Sequence, residues 1–314
     1  MDYDVIVIGG GPGGYAAALY CVRDGLRTLV LEKTIPGGQM ATTPLIENYP
    51  GILEIDGVTL AQNMQKGAER FGAVTIFSQV TDLDLQSDPK VVTTDGGTFT
   101  GGAIIVAMGA LPRSLDLPGA EELRGRGISY CAACDGMFFR GKTVTVFGGG
   151  NSAASGALTL SRLCKQVHLI YRRDVLRAEQ SYQQALKQAD NVIFHPQTLI
   201  QALHGTDHLT SLTLLDRASG QTRDLDCAGL FVAIGRVPET GLVAGHVKLD
   251  EQGYVVADET TRTNVPGVFA VGDLRAKPMR QIVTAAADGA TASHFAAAYL
   301  AQRKAAAGDP TSKA

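Results

Sequence analysis

Tryptophan is absent from the 314-residue chain, and aromatic residues make up only 6% of it. So few stacking platforms leave little basis for binding single-stranded nucleic acid. Positive charge is not in excess either. Twenty-eight Lys and Arg stand against 31 Asp and Glu, a net charge of −3, so the electrostatic footprint of a phosphate-backbone binder is missing. No apolar run approaches the roughly 20 residues a membrane-spanning helix requires. Met1-Asp2-Tyr3-Asp4 carries acids where a secretory leader carries Lys or Arg, and a cytoplasmic location is expected. Cysteine is scarce and odd in number, five residues of which only Cys131 and Cys134 are close. That is not the disulfide framework of a small secreted domain. Cys21, Cys164 and Cys227 have apolar neighbours and are expected to be buried thiols.

Glycine, by contrast, is abundant, with 37 residues. It gathers where a backbone turns sharply or approaches a ligand, although a merely loop-rich fold would also use it. The placement is informative, because one pattern occurs twice. Val5 to Ile8 is an apolar strand, Gly9 to Gly14 a glycine turn and Tyr15 to Tyr20 the start of a helix. Val144 to Phe147, Gly148 to Ala153 and Ala154 to Leu160 repeat it, and second strands follow at Thr28 to Leu31 and Val167 to Ile170. This is the opening of a doubly wound dinucleotide fold. The first glycine (Gly9, Gly148) permits the bend. The second (Gly11, Gly150) lets the backbone approach a pyrophosphate. The third position (Gly14, Ala153) lets helix pack against strand, and the helix N-terminus offers its N–H groups to the anion.

The copies differ where cofactors are told apart. Glu32 ends the second strand of the first copy, where a carboxylate accepts from ribose hydroxyls and repels a 2′-phosphate, which suits FAD. Tyr171 occupies the equivalent place in the second copy and is followed by Arg172, Arg173 and Arg177. Guanidinium forks suit a 2′-phosphate, which points to NADPH; a solvated basic strand end is the alternative.

The chain is expected to be α/β, with two doubly wound, Rossmann-like, three-layer ββα nucleotide-binding domains, the second inserted in the first. Residues 1–113 and 242–314 would bind FAD, and residues 114–241 NADPH. Helices are expected over Val58 to Phe71, Leu176 to Ala189 and Gln281 to Arg303. Short strands are expected from Val74 to Phe99, a buried strand from Gly102 to Met108, a strand meander from Thr198 to Ile234 and a strand from Gly267 to Asp273. The end, from about Ala305, is expected to fray.

Cys131-Ala132-Ala133-Cys134-Asp135-Gly136 carries the chemistry. Two cysteines three apart can close a small disulfide on a helical turn, where the N-terminus also stabilises a thiolate. A zinc site would want a second Cys/His pair at ligand spacing, and the six histidines supply none; a pair of unreactive core thiols is the other alternative. Asp135 is placed to give a proton to a leaving thiol, although Asp-Gly is also a common turn. The parts read as a relay from NADPH to flavin to dithiol to an external disulfide, with a hinge between domains near Leu111-Pro112 and Pro238 to Gly241.

On these motifs the chain resembles the low-molecular-weight, bacterial-type thioredoxin reductase family over nearly its whole length. Gly37-Gly38-Gln39, Glu47 to Gly51, Ala107 to Ala110, Ile234-Gly235 with Pro238, and Gly272-Asp273 with Arg280-Gln281 extend the match. The resemblance implies thioredoxin as partner and a homodimer. It implies FAD contacts from Gly9, Gly11, Pro12, Gly13, Gly14, Glu32, Lys33, Gly37, Gly38, Gln39, Asn48, Gly109, Gly272, Asp273, Arg280, Gln281 and Ile282. For NADPH it implies Gly148, Gly150, Asn151, Ser152, Ala153, Arg172, Arg173, Arg177, Ile234 and Gly235. Cys131, Cys134 and Asp135 would be catalytic, with Arg70, Met137 and Phe138 docking thioredoxin. The family usually has His at Tyr171, often two Glu at Ser155 and Gly156, and often Phe at Met137. Ferredoxin-dependent relatives and flavin disulfide oxidases of the dithiol-toxin type are the alternatives; the latter tend to use a C-terminal His, and His294 lies in the last helix. A flavin-binding redox sensor is the non-enzymatic one.

Overall fold

The computed structural model describes residues 1–43 and 46–306, with the backbone alone at residues 133 and 134. In chain order the elements are β1 (Tyr3–Ile8), α1 (Pro12–Arg23), β2 (Thr28–Glu32), α2 (Gly57–Glu69), β3 (Val74–Phe77), β4 (Val80–Asp84), β5 (Lys90–Thr94), β6 (Gly97–Val106) and β7 (Ala110–Pro112). Then come β8 (Ile128–Ser129), α3 (Ala132–Asp135), β9 (Thr143–Phe147), α4 (Asn151–Ser161), β10 (Gln166–Ile170), α5 (Gln180–Lys187), β11 (Val192–His195), β12 (Thr198–His204), β13 (Ser211–Asp216), β14 (Thr222–Asp226), β15 (Gly229–Val232) and β16 (Arg236–Pro238). β17 (Val268–Ala270) and α6 (Ile282–Ala306) close the chain. It divides into two compact units, Met1–Leu111 with Val237–Ala314, and Pro112–Arg236. No helix among the described residues is long and apolar enough to cross a membrane.

In the first unit β3, β2, β1, β6 and β17 run parallel, and β4, β5 and β6 form an antiparallel extension. β1 is buried at both faces, and its alternation sends side chains to opposite layers. Val5 and Val7 pack with α1 and α6 through Tyr15, Ala17, Ala292 and Ala296. Ile6 and Ile8 pack with Leu83, Val92, Val247 and Val255 on the other side. Each buried side chain of this size contributes ~1.5–3 kcal/mol relative to exposure. α6 approaches α1 closely because Gly289 has no side chain: a Cβ there would lie 2.2 Å from the Gly13 carbonyl oxygen.

The second unit repeats the plan on five parallel strands in the order β11-β10-β9-β15-β8. Val144, Val146, Val167 and Leu169 face α4 and α5. Ile128, Ile170, Leu230 and Val232 face the antiparallel β12-β13-β14 layer through Ile200, Leu212 and Leu214.

Several boundaries differ from the sequence expectation. Gly229–Val232 does not continue the meander; it runs parallel to β9 and is fully buried, as a continuous apolar run in a parallel sheet should be. α5 begins at Gln180 rather than Leu176. The preceding residues are held as a loop, with the Arg177 N–H on the Gly149 carbonyl at 2.7 Å and the Glu179 N–H on Asn151 Oδ1 at 2.8 Å. The expected Gly267–Asp273 strand covers only Val268–Ala270, followed by a 3-10 turn over Gly272–Leu274. The last helix runs on to Ala306, and residues 307–314, where fraying was expected, lie outside the described residues.

Candidate active site

The first glycine turn joins β1 to α1 with Gly9 in the left-handed region at φ +104°. A Cβ at Gly9 would lie 2.5 Å from the Ala107 carbonyl oxygen, and one at Gly14 only 1.9 Å from the Gly9 oxygen. Gly11 is different, since nothing lies within 4 Å of a Cβ built there. It caps α1 with no side-chain partner, so the first N–H groups of the helix face an open approach. That suits a pyrophosphate, whose charge the helix N-terminus stabilises. Pro12 takes the first helical position, where its missing N–H does no harm.

Glu32 is buried, and its Oε2 accepts from the Gly10 N–H at 2.7 Å while Oε1 accepts from the Thr34 N–H at 3.0 Å. A carboxylate oxygen accepts more than one hydrogen bond, so capacity for hydroxyl donors remains. Gly37 donates to the Gly10 carbonyl at 2.7 Å, and Gly38 opens a 3-10 turn through Gln39 to Thr42. Lys33 instead pairs with Glu239 at 3.2 Å on the surface.

Other expected residues of this unit are brought together in pairs. Asn48 Nδ2 donates to Gln281 Oε1 at 3.2 Å. Gly109, at φ +72°, accepts from the Glu239 N–H at 3.0 Å. Arg280 lies 4.0 Å above the Tyr254 ring, and Ile282 begins α6. Gly272 has φ +72° and leads into Asp273. A triad unmarked in the sequence fixes that turn: partly buried Asp288 accepts from the Gly272 N–H at 2.9 Å and pairs with Lys277 at 2.6 Å and Arg275 at 3.4 Å. An acid in the Ala-rich stretch of α6 is the one signal that was available.

The second turn has the same shape. Gly148 has φ +151°, and a Cβ there would meet the Ala233 oxygen at 2.1 Å. Gly150 is open and caps α4 without a side-chain partner. Ala153 is fully buried, so a methyl fits where the first copy needs glycine. Ser152 is exposed at the start of α4. Asn151 is engaged with Glu179, donating to Oε1 at 2.7 Å and accepting from its N–H. Together with the Arg177–Gly149 bond, this ties the arginine loop to the glycine turn. Tyr171 is buried, whereas Arg172, Arg173 and Arg177 are exposed. Arg172, Arg173, Leu199 and Arg217 line a recess of about 320 Å³. Ile234 is half-buried beside Gly235, which has φ +115° and accepts from the Arg113 N–H at 2.9 Å.

Cys131 immediately precedes α3 and Cys134 lies within it, between β8 and the strand leading to the second glycine turn. Cys131 is half-buried and in a disulfide; the side chain of Cys134 lies outside the described residues. The Asp135 N–H donates to the Cys131 carbonyl at 3.1 Å, closing the turn. Ser129 was missed by sequence reasoning. Its hydroxyl donates to Asp135 Oδ2 at 2.6 Å and accepts from the Cys131 N–H at 3.0 Å. A bond of that length to a carboxylate is charge-assisted and fixes the acid's orientation. Gly136 admits Leu160 and Leu163 at 3.1 and 3.2 Å from its absent Cβ, and Gly156 admits Ala132 likewise at 3.2 Å. Met137 and Phe138 are 55% and 74% exposed, leaving an apolar tip beside the dithiol. Arg70 caps α2 in the other unit, 6.0 Å from the Phe71 ring. The remaining thiols, Cys21, Cys164 and Cys227, are buried, and burial pushes Cys21 up to about 12 and Cys227 up to about 11. They stay protonated and unreactive.

Two dinucleotide folds, one nested in the other and bearing a CxxC, define a flavin- and nicotinamide-linked disulfide oxidoreductase. Residues 3–289 match the family described as pyridine nucleotide-disulphide oxidoreductase. Among curated relatives, the thioredoxin reductase of Treponema pallidum (strain Nichols) is 44% identical over 300 residues, covering 95% of this chain and 97% of that protein. That of Streptomyces clavuligerus is 44% identical over 302 residues, covering 95% and 94%. Among solved structures, Lactococcus lactis thioredoxin reductase superposes with a TM-score of 0.88 at 39% identity, covering 96% of this chain and 99% of that one. The T. acidophilum enzyme gives 0.85 at 32% identity, covering 95% and 98%. The chain belongs to the pyridine nucleotide-disulphide oxidoreductases and, within them, to the thioredoxin reductase family.

Proposed function

We propose that the chain is a thioredoxin-disulfide reductase with FAD in the first unit and NADPH as donor at the second. One observation carries the reading: a half-buried Cys131 in a disulfide, with Asp135 anchored one turn away by Ser129. When bound, flavin and nicotinamide supply two-electron transfer to that disulfide.

The chain's own residues do the rest. In the reduced pair, Cys131 or Cys134 attacks a disulfide sulfur of thioredoxin as thiolate, forming a mixed disulfide and releasing one partner thiolate. The second cysteine thiolate then displaces the other partner sulfur and restores the Cys131–Cys134 disulfide. Two electrons leave the pair, and the partner gains two electrons and two protons. Asp135 is the group placed to hand over one of these protons, with Ser129 holding its carboxyl toward the turn. Met137 and Phe138 offer thioredoxin an apolar contact, and Arg70 a cationic one.

Gly11, Gly13, Gly14, Glu32, Gly37 to Gln39, Asn48, Asp273 and Arg280 to Ile282 would hold FAD. Gly150 to Ala153 and the arginine loop would hold NADPH, the charge on that loop favouring the phosphorylated donor. Chain rotation about β7 and β16, where the backbone passes between units, would let dithiol and nicotinamide take turns at the flavin. A homodimer, checked by multi-angle light scattering of the pure protein, completes the reading.

Anaerobic titration with NADPH, NADH and reduced ferredoxin, following flavin absorbance, tests the donor. Bleaching by NADPH at the lowest concentration is expected; bleaching by ferredoxin alone overturns it. Cys134→Ser should abolish thioredoxin reduction and leave flavin bleaching intact. Undiminished output from that variant would make the chain a flavin-binding sensor instead.

A further inference from the structure

The recess at the end of β10 includes an arginine that lies far along the chain from the Arg172-Arg173 pair. Arg217 stands in the turn between β13 and β14, in the antiparallel layer, and shares the recess with Arg172, Arg173 and Leu199. Backbone bonds hold it there. The Arg217 N–H donates to the Gln197 carbonyl at 2.8 Å, and the Gln197 N–H donates to the Arg173 carbonyl at 2.9 Å. The Arg217 guanidinium donates through one nitrogen to the Arg172 carbonyl at 2.9 Å. Gln197, the residue between the two arginine segments, has φ +49°. Left-handed backbone at a non-glycine residue is unfavourable and persists where surroundings enforce it, often at binding sites.

Charge in the recess is uncompensated. Among the described residues, none of the three guanidinium groups has a carboxylate partner. The two acids adjacent in sequence are engaged with their own backbone: Asp216 accepts from the N–H groups of Ala218 and Ser219 at 2.8 and 2.9 Å, and Asp174 from the Val175 N–H at 2.9 Å. Three cations gathered by a strained backbone, with one apolar wall, call for a dianion with several acceptor oxygens. An arginine has five N–H donors, so the bond to Arg172 leaves Arg217 able to fork onto such a group.

We propose that Arg217 is a further recognition arginine for the 2′-phosphate of the nucleotide donor, beside those of the loop after β10, so that donor specificity is shared between that loop and the β13–β14 turn. The inference rests on the NADPH reading above and adds a residue from a different layer of the same unit. The ligand chemistry is a phosphomonoester dianion, which either the nucleotide or free phosphate could supply.

Equilibrium binding to the holoenzyme by calorimetry at low ionic strength, without turnover, separates these sources. The probes are NADP⁺, NAD⁺, adenosine 2′,5′-bisphosphate, 5′-AMP and inorganic phosphate, and the variants are Arg217→Ala, Arg217→Gln and Arg217→Lys. Arg217→Ala should weaken NADP⁺ and adenosine 2′,5′-bisphosphate on the order of tenfold while leaving NAD⁺ and 5′-AMP unchanged. Lys should retain part of the affinity. Gln can still donate to the Arg172 carbonyl but carries no charge, so wild-type affinity in that variant would reduce Arg217 to a backbone prop and overturn the proposal. So would equal losses for NADP⁺ and NAD⁺, or phosphate binding as tight as the bisphosphate with nucleotide affinity indifferent to position 217. Wild-type protein that binds NAD⁺ as well as NADP⁺ would defeat the donor reading and this inference together. Wild-type preference for NADP⁺ that survives Arg217→Ala would defeat this inference alone.

Discussion

Residues 9–32 and 148–171 are one device built twice, and their differences separate what the fold demands from what a ligand demands. Both copies keep a left-handed glycine at the bend and an open glycine at the helix cap. These are requirements of backbone geometry and of approach by an anion, so they do not vary with the nucleotide. The third position does vary. In the first copy a Cβ at Gly14 would lie 1.9 Å from the Gly9 oxygen, whereas in the second copy Ala153 is accommodated and fully buried. The strand ends differ most. Glu32 stitches back to the Gly10 N–H, while Tyr171 leaves that place without a carboxylate and the loop beyond it turns cationic.

The comparison can be broken most forcefully at the third position. Gly14→Ala forces α1 off the turn and should cost several-fold more stability than Ala153→Gly, which removes one methyl and is expected to cost about 0.5–1 kcal/mol. Flavin content after purification and thermal unfolding read both. Equal effects would mean that the closeness of Gly14 to Gly9 is not structural.

A second contrast concerns titration. The second unit buries His168 and His195 side by side, with His168 Nδ1 and His195 Nε2 2.8 Å apart and Arg223 on His195 Nδ1 at 2.7 Å. Arginine only donates, so the His195 Nδ1 accepts, its Nε2–H donates to His168, and the His168 Nε2–H donates to Gln166, with both rings neutral. Burial first, then repulsion that protonation of His168 would add and the charge of Arg223, lowers His195 to about 4, and burial with Arg223 lowers His168. The unfolded chain takes up protons near pH 6.5 and the folded unit does not. Stability is therefore full above about pH 6.5 and is lost as pH falls toward 4, by up to about 3 kcal/mol for His195. Local unfolding of the second unit by hydrogen exchange at pH 7 and pH 5 checks this. His195→Gln should flatten the dependence.

Glu32→Ala removes the acceptor of the buried Gly10 N–H and should destabilise the first unit by about 1–3 kcal/mol, with flavin loss on dilution. Tyr171→Glu is the reciprocal change. It should weaken the phosphorylated donor and leave flavin content alone; a shift in flavin content would show that the two copies are not independent. The smallest expected effect is at the dithiol. Ser129→Ala should slow thioredoxin reduction on the order of tenfold, since Asp135 loses its anchor, and leave thermal unfolding and flavin bleaching unchanged. A parallel loss of thermal stability would make Ser129 merely structural.

Much of the site was legible because its parts are local. The glycine turns, Glu32, the arginine loop and the CxxC-Asp-Gly motif lie within short stretches whose spacing has a mechanical meaning. Ser129, Glu179, Asp288 and Arg217 were not legible. Each acts on a residue brought near by packing or by a turn, and a lone serine, acid or arginine carries no period or spacing to mark it. The strand at Gly229–Val232 was misplaced in a meander for a related reason: a short apolar run does not say which sheet it joins.

By itself the sequence determined the two strand–turn–helix openings, because glycine placement and apolar alternation act over a few residues through sterics and burial. It also determined the type of chemistry, since a thiol pair beside an acid limits what can react. Only the tertiary structure decided which side chains hold those groups in place, because long-range hydrogen bonds and uncompensated charge arise when distant strands meet. The recess that joins β10 to the β13–β14 turn exists in no single stretch of the chain.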